Sequence, residues 1–163
     1  MKETTKTIGK DLYKILCEQK KLLGTIYEHQ KIVRESVVNK NWDPLQSQFA
    51  TIDVLSQEFS MLEIKRISTS LRLYKDADDI YAISGLVPVD MRVQLIEAFQ
   101  AVKRNLLISK IENDSINEYI RVTQNFMQKV FDEVLPQRRN TLYSSKGEVI
   151  KNQPTSVILD TVA

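Results

Sequence analysis

The stretch VDMRVQLIEAFQAVKRNLLISKIENDSINEYIRVTQNFMQKVFDEVL, from Val89 to Leu135, decides the fold. It holds neither glycine nor proline. Leu95, Phe99, Val102, Leu106, Ile116, Ile120, Met127, Val130 and Val134 fall on one seam of alternating three- and four-residue steps, the spacing of one face of an α-helix. At 1.5 Å per residue, such a helix spans about 70 Å. The seam turns polar at Ser109 and Asn113, and Asp114-Ser115 supplies capping residues where the helix can break. A polar seam residue such as Asn113 either fixes the register of a bundle or stands exposed in a groove. Pro136 ends the pattern because it lacks an N–H and clashes with the preceding turn.

Upstream, the same spacing predicts a first helix from about Thr7 to Asn39. Ile8, Leu12, Ile15, Gln19, Leu22, Ile26, His29 and Val33 form its seam, widened by Leu16, Leu23, Ile32 and Val37. Gly24 lies inside it and is expected to admit a close neighbour. A turn follows over Asn39–Pro44, with Asp43 as cap and Pro44 at the first position of a second helix reaching about Leu73. Leu45, Phe49, Ile52, Leu55, Phe59 and Leu62 supply its stripe, and so short a turn makes the pair an antiparallel hairpin. In the apolar connection from Tyr74 to Pro88, Asp76–Asp79 can cap a short helix over Ile80–Ile83, with Gly85 ending it. The expectation is an all-α, antiparallel three-helix, coiled-coil-like bundle over residues 1–135. Its long third helix should overhang, and a flexible C-terminal tail should follow over 136–163.

Composition is that of a soluble globular protein. The 163 residues are 42% hydrophobic and 27% charged, with a net charge of +2, so nothing points to nucleic acid. No apolar run approaches the ~20 residues of a membrane helix. One cysteine, Cys17, excludes an internal disulfide and suits a reducing, cytoplasmic home. Catalytic chemistry is hard to assemble from what remains. His29 is the lone histidine, a partly buried, hydrogen-bonded seam residue by position, and Cys17 lies about 18 Å away along the same helix. Cys17 itself reads as a small buried hydrophobe. Asp76, Asp78 and Asp79 resemble a calcium loop only until Tyr81 stands where its glycine belongs. No catalytic residue, metal ligand or cofactor site is expected. Trp42 reads as a staple on the hairpin turn or a ligand platform. Arg66, on the second stripe, either lays its stem on the core with its head in water or forms an ion pair, for instance with Glu63.

Asn113-Asp-Ser-Ile-Asn117-Glu-Tyr-Ile120 resembles the Asn-x-x-x-Asn-x-x-Leu/Ile pattern in the last helix of FlgN-type flagellar export chaperones. A proline-containing breaker and Thr141-Leu-Tyr143-Ser-Ser-Lys-Gly147 follow at a similar interval, matching that family's Thr-x-Tyr-x-x-x-Gly tail, and Glu63-x-x-Arg66 also looks like theirs. The connection from Tyr74 to Pro88 is longer and more apolar than the family pattern. The resemblance implies a cytoplasmic chaperone without enzymatic activity. Such a chaperone binds C-terminal segments of hook-associated proteins and delivers them to the cytoplasmic domain of the type III export gate. By position it places Asn113, Ile116, Asn117, Ile120 and Met127 in the client-binding region, and Tyr143 and Gly147 at the gate-docking tail. The rival expectation is a structural coiled-coil scaffold or adaptor pairing through its third helix, which leaves the tail motif unexplained.

Overall fold

The computed structural model describes the backbone of residues 2–134, 142–143 and 149–150, and side chains over residues 4–131. The chain divides into two units, Met1–Val122 and Thr123–Ala163. Its helices are α1 (Lys2–Val38), α2 (Leu45–Leu71), α3 (Ile80–Leu86) and α4 (Val89–Val134). The fold is all-α, and α4 runs unbroken through Asp114-Ser115, where Ser115 Oγ donates back to the Ile111 carbonyl at 2.9 Å. In the second unit, β1 (Leu142–Tyr143) and β2 (Val149–Ile150) form a two-residue antiparallel ladder that pairs Leu142 with Ile150 and Tyr143 with Val149. So short a ladder has no periodicity for a sequence reading to find. The expectation of a flexible tail otherwise concerns residues outside those described, Gly147 among them.

Turn chemistry sets the hairpin. Asn41 N–H donates to the Ser36 carbonyl and Lys40 N–H to the Val37 carbonyl, while Lys40 takes φ 56°. This is a Schellman cap with lysine in the left-handed position usually held by glycine. Neither Asp43 nor Pro44 plays its expected part. Pro44 is the residue before α2 and no side chain caps it; Ser47 Oγ instead donates to the Pro44 carbonyl at 2.9 Å.

Between α2 and α4, Asp78 N–H donates to Asp76 Oδ1, and Ala82 N–H donates to Asp79 Oδ1, which caps α3 as the sequence suggests. Gly85, however, lies within the last turn rather than ending it. The stop is Val87, extended at φ −88° and ψ 162° because Pro88 follows and disfavours helical geometry before it. Arg92 then reaches back, donating to the carbonyls of Val87 and Gly85.

The first unit is an up-down-up bundle. A Cβ on Gly9 would stand 2.9 Å from Val87 Cγ1, Gln30 meets Ser109, and Val37 shares a cluster with Ile116, so α1 and α4 run parallel. The main core joins Leu12, Leu16, Leu23 and Ile26 of α1 with Ile80 and Ile83 of α3 and with Leu95, Phe99 and Val102 of α4. Ile52, Leu55 and Phe59 close it from α2. The packed faces drift off the expected seams. On α4, Ser109 and Ile116 keep their seam places in the core, but Leu106 and Asn113 are exposed and Glu112, off the seam, is buried; on α2 Phe49 is exposed. A straight helix turns ~20° per heptad against a strict seven-residue repeat, so a seam drawn along so long a helix leaves the contact face. A Cβ on Gly24 would meet no atom within 4 Å, so the close approach belongs to Gly9 instead.

Candidate interaction surface on α4

Two polar clusters hold α4 in place. Gln30 Nε2 donates to the Ser109 carbonyl at 3.1 Å, and Ser109 Oγ donates to Gln30 Oε1 at 2.9 Å. One turn on, Arg34 Nε lies 3.1 Å from Glu112 Oε1, an ion pair without a hydrogen bond. The Gln30–Ser109 pair satisfies its polar groups, buried Glu112 Oε1 has only the ion pair, and the same helix face carries Ile116 against Val33 and Val37. A buried polar layer of this kind fixes register.

The second cluster centres on Arg66, only 4% exposed. Its guanidinium grips Glu63 with two bonds (Nε to Oε2 2.9 Å, Nη2 to Oε1 2.7 Å), and also donates to Asp78 Oδ1 at 2.7 Å and to the Ala77 carbonyl at 2.8 Å. Gln19 Nε2 donates to Glu63 Oε2 at 2.8 Å, and the Phe99 ring lies 5.4 Å from the guanidinium carbon. Arg66 therefore ties α1, α2, α4 and the connection together, which is the ion-pair alternative rather than a head in water. The bond from Arg66 holds the Glu63 carboxyl below the usual carboxylate range, against the opposing effect of burial.

On the far side of α4 from its packed face, the chain presents an apolar stripe to solvent. Leu107, Ile108, Ile111, Tyr119 and Val122 are all exposed, most of them by about half. Ser115, small between Ile111 and Tyr119, leaves a shallow groove bordered by Asp114, Glu118 and Val122. Arg121 donates to Glu118 with two bonds of 2.9 and 2.6 Å along the rim, holding that carboxyl below its ordinary value. Within the first unit, α1 ends just past Val37 while α4 continues beyond Ile116, and Ile120 packs near Leu45 at the start of α2. Up to Ile120 the helix is therefore still packed on its inner side, and no overhang is seen among the described residues of this unit. In the second unit Phe126, Met127 and Phe131 are themselves exposed.

The motif-derived residues separate by burial. Asn113 and Asn117 are exposed, Ile120 is half-buried, and Ile116 is buried in the core; Met127 belongs to the second unit. The stripe through Ile111 and Val122 escapes a sequence reading, because the stronger seam on the opposite face masks it. Tyr143 sits on β1.

Elsewhere, His29 Nδ1–H donates to Gln48 Oε1 at 2.6 Å, the hydrogen-bonded role its position suggests. Cys17 is exposed, not buried, because Leu16 beside it takes the core position. The Tyr13 phenol, one turn away, is raised above its ordinary value by its hydrogen bond with Cys17. Trp42 is half in water at the hairpin turn. Among the described residues no group of three or more His, Cys, Asp or Glu is placed to hold a metal. None of their helices is long and apolar enough to cross a membrane. Asp78 and Asp79 are occupied with Arg66 and the α3 cap.

No protein-family model matches the chain, and no solved structure matches it. It is similar to an uncharacterized protein of Treponema pallidum (strain Nichols), at 24% identity over 155 residues covering 91% of each chain. That likeness runs through nearly the whole of both chains and carries no function with it.

Proposed function

We propose that this chain is a FlgN-type flagellar export chaperone, a cytoplasmic protein without enzymatic activity. It holds C-terminal segments of hook-associated proteins unassembled and passes them to the cytoplasmic domain of the export gate. The observation that carries this reading is the open apolar stripe of α4 through Ile111 and Val122, on a helix that outruns α1 in the first unit. A client segment that ends as an amphipathic helix can lay its apolar face there, with a knob over Ser115. Asn113 and Asn117 are exposed too, but more than about 100° around α4 from Ile111 and Val122, so they would meet a client only if it wraps the helix; Ile116 and Ile120 brace the helix from the core side.

The test is the mass of the pure chain alone and mixed with a C-terminal fragment of a hook-associated protein. One fragment bound per chain is expected, and Ile111→Asp or Val122→Asp should abolish the complex at unchanged helical content, because a charge would be desolvated only in the complex. A chain that self-associates through α4 and ignores the fragment supports the coiled-coil scaffold instead.

A further inference from the structure

α2 is apolar on two opposite faces and far less one-sided than α1 or α4. Its inner face closes the core through Ile52, Leu55 and Phe59. On the outer face, Val54, Gln57, Met61, Ile64, Ser68 and Leu71 follow each other at steps of three and four, the spacing of a coiled-coil seam. The four apolar members are among the most exposed hydrophobic side chains of the first unit, at 55% for Val54, 62% for Met61, 68% for Ile64 and 51% for Leu71. A helix that is apolar on all sides normally lies inside a protein. Here one side is left open.

The order of residues along this seam identifies its occupant. It reads apolar, polar, apolar, apolar, polar, apolar, and is therefore the same in both directions. Turning a second copy end for end about a two-fold axis sets Val54 opposite Leu71, Gln57 opposite Ser68, and Met61 opposite Ile64, each contact occurring twice. An isologous interface requires this self-complementarity. The flanking charges obey the same symmetry. Glu58 and Lys65 border the seam on one side, and in an antiparallel pair the residues on that side face their own kind, so each Glu58 comes alongside the other copy's Lys65. Neither side chain has an ion-pair partner within its own chain among the described residues. A parallel pairing would set Lys65 beside Ser60 of the other copy and lose both attractions.

We infer that the chain forms an antiparallel homodimer through the outer face of α2, with the Met61 and Ile64 side chains of both copies at its centre. This inference stands apart from client binding, which uses α4. Sedimentation of the full chain should show mass doubling as concentration rises to about 0.1 mM, where a micromolar Kd is saturated. Ile64→Glu should raise the dimer Kd at least roughly tenfold, the loss expected of a central contact. Glu58→Lys should weaken the dimer, and adding Lys65→Glu to it should restore the association.

Register can be tested directly. In a Cys17→Ser background, Val54→Cys with Leu71→Cys should give a disulfide-linked dimer on oxidation. The two positions lie about 25 Å apart along one helix, too far to close within a chain. A chain that stays monomeric at about 0.1 mM overturns the inference; the concentration is set by the roughly micromolar affinity sought. A dimer broken by Ile111→Asp and indifferent to Ile64→Glu also overturns it. Failure of client binding with the dimer intact leaves the inference standing and removes only the chaperone reading.

Discussion

Arg66 shows how much one residue decides in this bundle. It occupies a position where the apolar stripe of α2 calls for a hydrophobe, and it is held there by Glu63, Asp78 and the Ala77 carbonyl. Sequence alone leaves its head either in water or in an ion pair, because its partners in the connection lie in a turn whose path no periodicity predicts. Replacing it with methionine strands the half-buried Glu63 and an acceptor carbonyl, and should cost about 3 kcal/mol in denaturant unfolding, near the lower end for a broken buried pair. The Glu63 carboxyl, held low chiefly by Arg66, contributes stability that is complete above the ordinary glutamate range and is lost as pH falls through its depressed value. Glu63→Gln should therefore be less stable than the parent at neutral pH, and the gap should narrow below about pH 4. Unfolding midpoints measured across that range check both sign and window. The glycines make a complementary pair. Gly24→Ala should stabilise by about 1 kcal/mol, since the site is helical and open. Gly9→Ala should instead destabilise by about 1–3 kcal/mol, because its Cβ meets Val87.

At the scale of elements, the helices are legible in the sequence and their faces are less so. The end of α1 and the boundaries of α2 and α4 follow from proline, the Asn39–Pro44 turn and sustained spacing, and even the Asp79 cap of α3 is readable; α1 begins at Lys2, ahead of the expected Thr7, because its polar first turns carry no apolar spacing. Faces are harder because α2 and α4 each carry two apolar stripes, and a three-four pattern does not state which one is buried. Leu106 and Asn113 fall on the expected seam yet stand in solvent, while Glu112 is buried beside Arg34. The two stripes of α4 make a direct prediction. Ile116→Ala, in the core with Val33 and Val37, should cost roughly 2–5 kcal/mol. Ile111→Ala, on the open stripe, should stay within about 0.5 kcal/mol. Equal losses at both positions in denaturant titrations would mean that the stripe through Ile111 is packed in solution and cannot seat a client.

For the molecule as a whole, the proposed activity divides between its two units. The first is a bundle whose core, polar register layer and open faces are complete within Met1–Val122. The second carries the motif tyrosine on a two-residue strand, Tyr143 pairing with Val149 across the ladder. The core clusters of the first unit are built without that strand, so stability and gate docking should be separable. A tyrosine offers a large apolar ring and a hydroxyl at modest entropic cost, which suits an anchor in a partner's pocket. Tyr143→Ala should leave the unfolding free energy of the bundle within about 0.5 kcal/mol. It should also leave binding of the client fragment intact. Binding to the cytoplasmic domain of the export gate should weaken at least roughly tenfold, equivalent to about 1.4 kcal/mol or more. Calorimetric titration of the same variant with both partners reads the two activities side by side. Loss of the client with the gate interaction preserved would assign the tail to client recognition and reverse the proposed division of labour.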